Sequence, residues 1–285
     1  LLIYDSINKL LIKNKIMAPK LINENYSKNS IEIEDFGDET LYKILKNKKK
    51  DHIILFKKAV SLITKIQKIK QSKIKNFKNK FYKIPTYSKK ILFDEAKLFF
   101  KWYVPNVISK NKVPKVNRNL KRKIFFLLSK IKLSNDTFVH RDFHASNLMV
   151  LNSKFGVIDS QDALFGNRAY DLASLIDDVR FKTSNQFKRR IYEYYLSLNK
   201  NKFNAKSFAN DFEILSILRN LKIIGIFTRL SKRDKKRKYL KLIPYTWKLI
   251  EMRLKNNIIF KDLKNYLDNN FSNKIRTKKW KLIQH

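Results

Sequence analysis

At 285 residues and 44% hydrophobic, the chain can bury a real core as one large domain or two lobes, which excludes wholesale disorder. With no cysteine there is no disulfide framework, cysteine-ligated zinc or thiol nucleophile; no apolar run nears the roughly 18 residues of a membrane span and no signal-peptide pattern opens the chain, so a cytoplasmic protein without a membrane partner is expected. The formal charge of +40 reads as a solvated lysine-rich surface of biased composition, not a specific nucleic-acid site, because lysine far outnumbers arginine, the usual reader of bases, and is spread along the chain.

Apolar residues at helical spacing (Ile3, Ile7, Leu10, Leu11) predict a first helix over Ile3 to Ile16, stopped by Pro19. "KLINEN" (Lys20 to Asn25) and "SIEIED" (Ser30 to Asp35) read as two short antiparallel strands, the second alternating apolar and acidic residues. Gly37 in "FGDET" breaks that strand, and a helix can start at Asp38. Amphipathic stretches follow at about Asp51 to Lys70, at Ile91 to Val104 ending before Pro105, and at roughly Arg118 to Leu133. Short strands are expected near Asn147 to Leu151 and Gly156 to Ile158, and after Ala169 the chain reads as helical nearly to its end.

Between those stretches lies the most informative string, "HRDFHASN" (His140 to Asn147), followed by "GVIDSQDA" with Asp159. It fits the kinase catalytic loop H-R-D-x-x-x-x-N at every fixed position. Phosphoryl transfer from ATP needs a carboxylate to orient a hydroxyl and accept its proton, and an amide oxygen plus a second carboxylate to hold Mg²⁺. Asp142, Asn147 and Asp159 are those residue types in that order. Charge agrees: from Leu133 to Phe181 the chain holds one lysine, Lys154, against seven aspartates. Of these, Asp136 and Asp177 are assigned to caps and turns, where Asp is common. The order of helix, two strands, hinge and helical body with a strand-and-loop insert matches an α+β, protein-kinase-like two-lobe fold. The expected division is an incomplete N-lobe over 1–36 and a mostly helical C-lobe over 37–285. The four glycines are Gly37, Gly156, Gly166 and Gly225, so a Gly-rich loop and its anchoring Lys are absent from this chain. With no initiator Met and an opening inside a helix, an N-terminal truncation of a few tens of residues is expected.

On "HRDFHASNLMVL" (His140 to Leu151), "GVIDSQDALFG" (Gly156 to Gly166) and "YDLASLIDDVR" (Tyr170 to Arg180), the chain resembles the aminoglycoside phosphotransferase and choline kinase superfamily. Within it, the chain looks most like the bacterial anomeric kinases of N-acetylmuramate and N-acetylglucosamine. The resemblance implies ATP and Mg as cofactors, with Asp142 as base and Asn147 and Asp159 as metal ligands. Asp171 would brace the catalytic loop through its backbone amides, and His144 would either brace that loop or touch the substrate. His140 and Arg141 are expected to be structural, and adenine would meet the hinge backbone at Glu34, Asp35 and Phe36. Two departures stand out. Relatives usually place an aromatic residue after the metal Asp, where this chain has Ser160, so loss of apolar packing and a looser site are expected. Asn167 replaces a usual Pro and suits a turn.

The function expected is therefore transfer of phosphate from ATP to a hydroxyl of a small-molecule sugar. An aminoglycoside or choline is a cation and wants an acidic cleft, whereas the region after Phe181 is strongly basic. A non-catalytic nucleotide-binding protein is the alternative that the missing Gly-rich loop and Ser160 would fit; retention of Asp142, Asn147 and Asp159 opposes it.

Overall fold

The computed structural model describes residues 1–25, 27–47 and 51–278. In chain order its elements are α1 (Leu2–Lys13), β1 (Leu21–Asn25), β2 (Ser30–Ile33), α2 (Leu41–Lys46), α3 (His52–Ile66), β3 (Lys73–Lys75), β4 (Phe81–Lys83), α4 (Lys89–Leu98), α5 (Val104–Val107) and α6 (Val113–Ser129). Then come β5 (Thr137–Val139), β6 (Leu148–Leu151), β7 (Lys154–Val157), β8 (Leu164–Gly166), α7 (Ala169–Ile176), α8 (Asn185–Leu198), α9 (Ala205–Lys232), α10 (Ile243–Leu254), α11 (Lys261–Asn270) and α12 (Asn273–Arg276). They pack as two compact units, Leu1–Tyr87 with Leu133–Phe208, and Ser88–Lys132 with Ala209–His285. The lobe boundary expected near residue 36 runs inside the first of these units.

In the first unit, α1 buries Ile7, Leu10 and Leu11, the residues that set its periodicity. Asp51 caps α3, its carboxylate accepting from the Ile53 amide at 2.7 Å. The helix then buries Leu55, Phe56, Ala59, Val60, Ile63 and Ile66, a stripe at helical spacing. The strands form four two-stranded antiparallel sheets, β1–β2, β3–β4, β5–β8 and β6–β7. Ile31 and Ile33 of β2 are half-buried, and Ile22 of β1 is 65% exposed. Gly37 ends the hinge with φ +70°, a left-handed conformation glycine adopts without a Cβ clash, and its amide donates to Asp35 Oδ1 at 2.7 Å.

Three local expectations are corrected here. The helix after the hinge starts at Leu41, not Asp38, because Thr40 is its cap and its hydroxyl accepts from the Lys43 amide at 3.1 Å. The hairpin β3–β4 and the pair β5–β8 lie where no strand was expected. Each of these strands is three residues long, too short for alternation to show, and β5 and β8 are buried at every position.

The second unit is helical. Helix α4 passes into a π-helical turn, Phe99–Tyr103, and then into α5, so helical structure continues past Pro105 and does not stop before it. Pro105 follows directly on the π-helical turn and does not end the helical run. Likewise α6 begins at Val113, ahead of the expected Arg118, with Pro114 in its first turn. Phe99, Tyr103, Trp247 and Phe271 pack together, and Trp247 Nε1 donates to the Tyr103 hydroxyl at 3.1 Å. Gly225 lets two segments touch, because a Cβ there would collide with the Leu98 carbonyl group. Among the described residues, no helix is long and apolar enough to cross a membrane.

Candidate active site

The loop His140 to Asn147 links β5 to β6 and is held from below by Asp171 in the first turn of α7. The fully buried Asp171 carboxylate accepts the His140 amide on one oxygen at 2.8 Å and the Arg141 amide on the other at 3.0 Å. Consecutive amides converging on one anion form a nest, and Arg141 takes φ +74° within it. Arg141 then reaches outward, its Nε donating to the Tyr87 hydroxyl at 3.0 Å and its NH1 to the Asp162 carbonyl at 3.2 Å. Its distance to the Asp162 carboxylate is 3.9 Å, and that carboxylate is 60% exposed, so the ion pair contributes little. The loop closes on itself through the His144 amide to the Asp142 carbonyl, 3.0 Å, and the Asn147 amide to the His144 carbonyl, 2.9 Å. His144 is buried.

His140 lies 1% exposed, with Nε2 3.0 Å from the Ile158 carbonyl. Donation to that carbonyl fixes the Nε2–H tautomer, and a second ring proton would be buried without an acceptor. Burial therefore pushes its pKa down to about 4, although the Asp142 charge and the Ile158 carbonyl oppose the shift. Between about 4 and the ordinary 6.5 the unfolded chain holds a proton that the folded chain excludes, so stability should rise with pH through this window and be lost as pH falls. The change is on the order of 3 kcal/mol across the window. Urea unfolding from pH 4.5 to 7.5 measures it. His140→Gln should flatten the dependence, and an unchanged slope would rule His140 out as its source.

The three residues of the motif are brought together. Asn147 Nδ2 donates to the Asp142 carbonyl at 3.1 Å, which turns its amide oxygen the other way, and the Ile158 amide donates to the Asn147 carbonyl at 3.1 Å. Asp159 follows Ile158 in a left-handed conformation, φ 57° and ψ 41°, which Asp tolerates better than most residues. Its pKa is raised, first by burial and then by the charges of Asp142 and Asp162. A carboxylate held beside two like charges is a place where a cation would relieve the repulsion. The donors offered, an amide oxygen and a carboxylate oxygen, are hard and suit Mg²⁺, which keeps waters and phosphate oxygens in its remaining positions. Among the described residues, no group of three or more His, Cys, Asp or Glu is arranged to hold a metal.

The hinge residues lie apart from this cluster. The Glu34 amide donates to the Lys20 carbonyl at 2.9 Å, and Phe36 and Met17 each lie against Gly156. Glu34 and Phe36, with Met17, Leu151 and Phe155, line a cavity of about 670 Å³. Asp142, Asn147 and Asp159 do not line it.

Several contributors escaped the sequence reading. Asp178 is buried and its Oδ2 accepts the Ala145 amide at 3.2 Å, a second carboxylate under the loop. Asp177 occupies the C-cap position of α7, but its carboxylate pairs with the buried Lys188 at 3.1 Å, beyond the cap role expected of it. The one trace of this pair in the sequence is two acidic residues ending an apolar helix, a pattern that solvent-exposed helix ends share. Ser160, where loss of apolar packing was expected, is fully buried and its hydroxyl donates to Asn8 Oδ1 at 2.5 Å. Asn167 does serve a turn, its Oδ1 accepting the Ala169 amide at 3.0 Å as α7 begins.

The braced loop and the carboxylate beside it present the residue types that phosphoryl transfer uses, in the order it uses them. Comparison with known proteins agrees: the phosphotransferase enzyme family matches residues 82–205. The chain is 26% identical over 248 residues to the N-acetylmuramate/N-acetylglucosamine kinase of Neisseria meningitidis serogroup B, covering 85% of this chain and 71% of that protein. It is 25% identical over 250 residues to the protein of the same name from Pseudomonas aeruginosa, covering 85% and 70%. Among solved structures, a choline/ethanolamine kinase family protein from Mesorhizobium loti superposes with TM-score 0.59 at 10% identity, covering 91% of this chain and 80% of that one. The fold is kinase-like, and the resemblance read from the sequence stands: the chain is a small-molecule kinase.

Proposed function

We propose that this protein is an ATP- and Mg²⁺-dependent kinase of an N-acetylated amino sugar, N-acetylmuramate or N-acetylglucosamine, acting in the cytoplasm on sugars recovered from the cell wall. The observation that carries the reading is the meeting of Asp142 and Asn147, on one braced loop, with Asp159 at the end of the β6–β7 hairpin. The names of the relatives from Neisseria and Pseudomonas support the choice of sugar. Bound Mg²⁺ would supply positive charge against that of the ATP phosphates. Asn147 and Asp159 hold that cation. Asp142 aims the acceptor hydroxyl and takes its proton as that oxygen bonds to the γ-phosphorus and the γ-phosphorus–oxygen bond to ADP breaks, ADP leaving. Asp171 and Asp178 keep the loop amides in place, buried His144 supports the loop, and the hinge from Glu34 to Phe36 receives adenine through its backbone.

The test is ADP release by the protein as its gene encodes it, with Mg²⁺, across N-acetylmuramate, N-acetylglucosamine, an aminoglycoside and choline. Turnover is expected on one or both N-acetylated sugars and should vanish when the metal is chelated. Activity confined to choline or the aminoglycoside would refute the sugar assignment. Normal ATP binding with no turnover on any acceptor would favour a non-catalytic nucleotide-binding role.

A further inference from the structure

The segment that carries Asp159 is fastened from the first helix of the chain. Ser160, next in sequence, donates its hydroxyl to Asn8 Oδ1 at 2.5 Å, and Asn8 Nδ2 donates to the Pro19 carbonyl at 3.0 Å. With Pro19 able only to accept, the amide of Asn8 has one orientation, which presents its oxygen to Ser160. Both side chains are buried, Ser160 at 0% exposure and Asn8 at 3%. Tyr4, one turn earlier on α1, lies where both Asn8 and the Asp159 charge reach it. One face of α1 thus addresses Asp159 and its neighbour together.

Asp159 needs such support. It takes a left-handed conformation, and the charges of Asp142 and Asp162 press on it. A residue under backbone strain and like-charge repulsion keeps its place only when its surroundings over-determine it. The residue next to Asp159 is fixed by a buried hydrogen bond.

We propose that Asn8, acting through Ser160, is a positioning residue for Asp159, so that α1 sets the affinity of the site for the divalent cation. This rests on the reading of Asn147 and Asp159 as cation ligands. Groups behind a metal ligand typically change metal affinity by about 10–100-fold when removed.

The experiment is calorimetric titration of ADP into the protein as its gene encodes it, once with excess Mg²⁺ and once with EDTA. In Asn8→Ala and in Ser160→Ala, the tightening of ADP binding by Mg²⁺ should fall by about 10–100-fold, with metal-free ADP affinity unchanged. Ser160→Thr, which keeps the hydroxyl, should retain most of the tightening. The double variant Asn8→Leu/Ser160→Ala removes both partners of that bond, so that only the Pro19 carbonyl loses a donor, and a urea melt establishes that it is folded before the titration. It should lose as much as either single variant, since the two act as one unit. Unaltered Mg²⁺ tightening in the folded double variant would overturn the proposal and leave the pair a core hydrogen bond. Equal losses with and without metal would overturn it as well, by showing general loosening. If Mg²⁺ fails to tighten ADP binding in the unsubstituted protein, the nucleotide–metal reading itself fails, a result distinct from both.

Discussion

Asp142→Ala is expected to lower turnover by about 10²–10⁴-fold, the usual worth of a positioned base. The loop around it would survive, because its amides are held by Asp171 and Asp178 and its turn by the backbone bonds of His144 and Asn147. The loss should therefore fall on kcat, with the melting temperature close to that of the unsubstituted protein. Nucleotide binding with Mg²⁺ should hold or tighten, since removing the Asp142 charge relieves one cause of the raised Asp159 pKa. Asp159→Ala should be at least as damaging to turnover, but by another route. It withdraws a cation ligand, so the affinity for Mg²⁺·ADP should fall together with kcat. Steady-state kinetics with calorimetry on both variants separates the roles. An Asp142→Ala enzyme within tenfold of normal turnover would remove the residue as base. An Asp159→Ala enzyme that still binds ADP more tightly with Mg²⁺ than without it would remove Asp159 as ligand.

The second large effect is expected at Asp171, which touches no reacting atom in this reading. Asp171→Ala leaves the buried amides of His140 and Arg141 without their acceptor. At about 1–3 kcal/mol for each unsatisfied group, the loss is roughly 2–6 kcal/mol, a large share of the stability of a typical protein. Arg141 would also lose what holds it at positive φ, so the loop should relax and carry Asp142 out of line. The variant is expected to unfold at markedly lower urea and, where still folded, to turn over at least tenfold more slowly. Asp171→Asn keeps one acceptor oxygen but turns an NH₂ toward an amide, and should fall between the two. Unfolding and kcat both at the unsubstituted level would show that the loop is held by something other than this carboxylate.

Much of the candidate site was legible because its parts are covalent neighbours. The spacing of Asp142 and Asn147 is written into one loop, and Asp159 follows after a short β6–β7 hairpin whose apolar run can be seen in the chain. Stripes of Ile, Leu and Val likewise exposed α1 and α3. Other features left no periodic trace. The three-residue strands of β3–β4 and β5–β8 are shorter than an alternation can register, and proline in a helical first turn looks in sequence like proline that ends a helix. Ser160 read as a weakness because the sequence showed what it lacked and could not show its partner on α1.

Sequence alone determined the chemistry on offer: a base, an amide oxygen and a second carboxylate, in the order phosphoryl transfer needs, within a locally acidic stretch of a strongly basic chain. These are properties of residue type and short spacing, and they survive without knowledge of any distant contact. Tertiary structure alone decided what holds those groups in place. Asn8 meets Ser160 across 152 positions and Asp171 meets His140 across 31, and Asp177 finds Lys188 in the interior. Such pairs are chosen by burial, because a polar group removed from water must take a partner from whatever the packing brings beside it. That choice belongs to the folded chain as a whole, and no local pattern of residues encodes it.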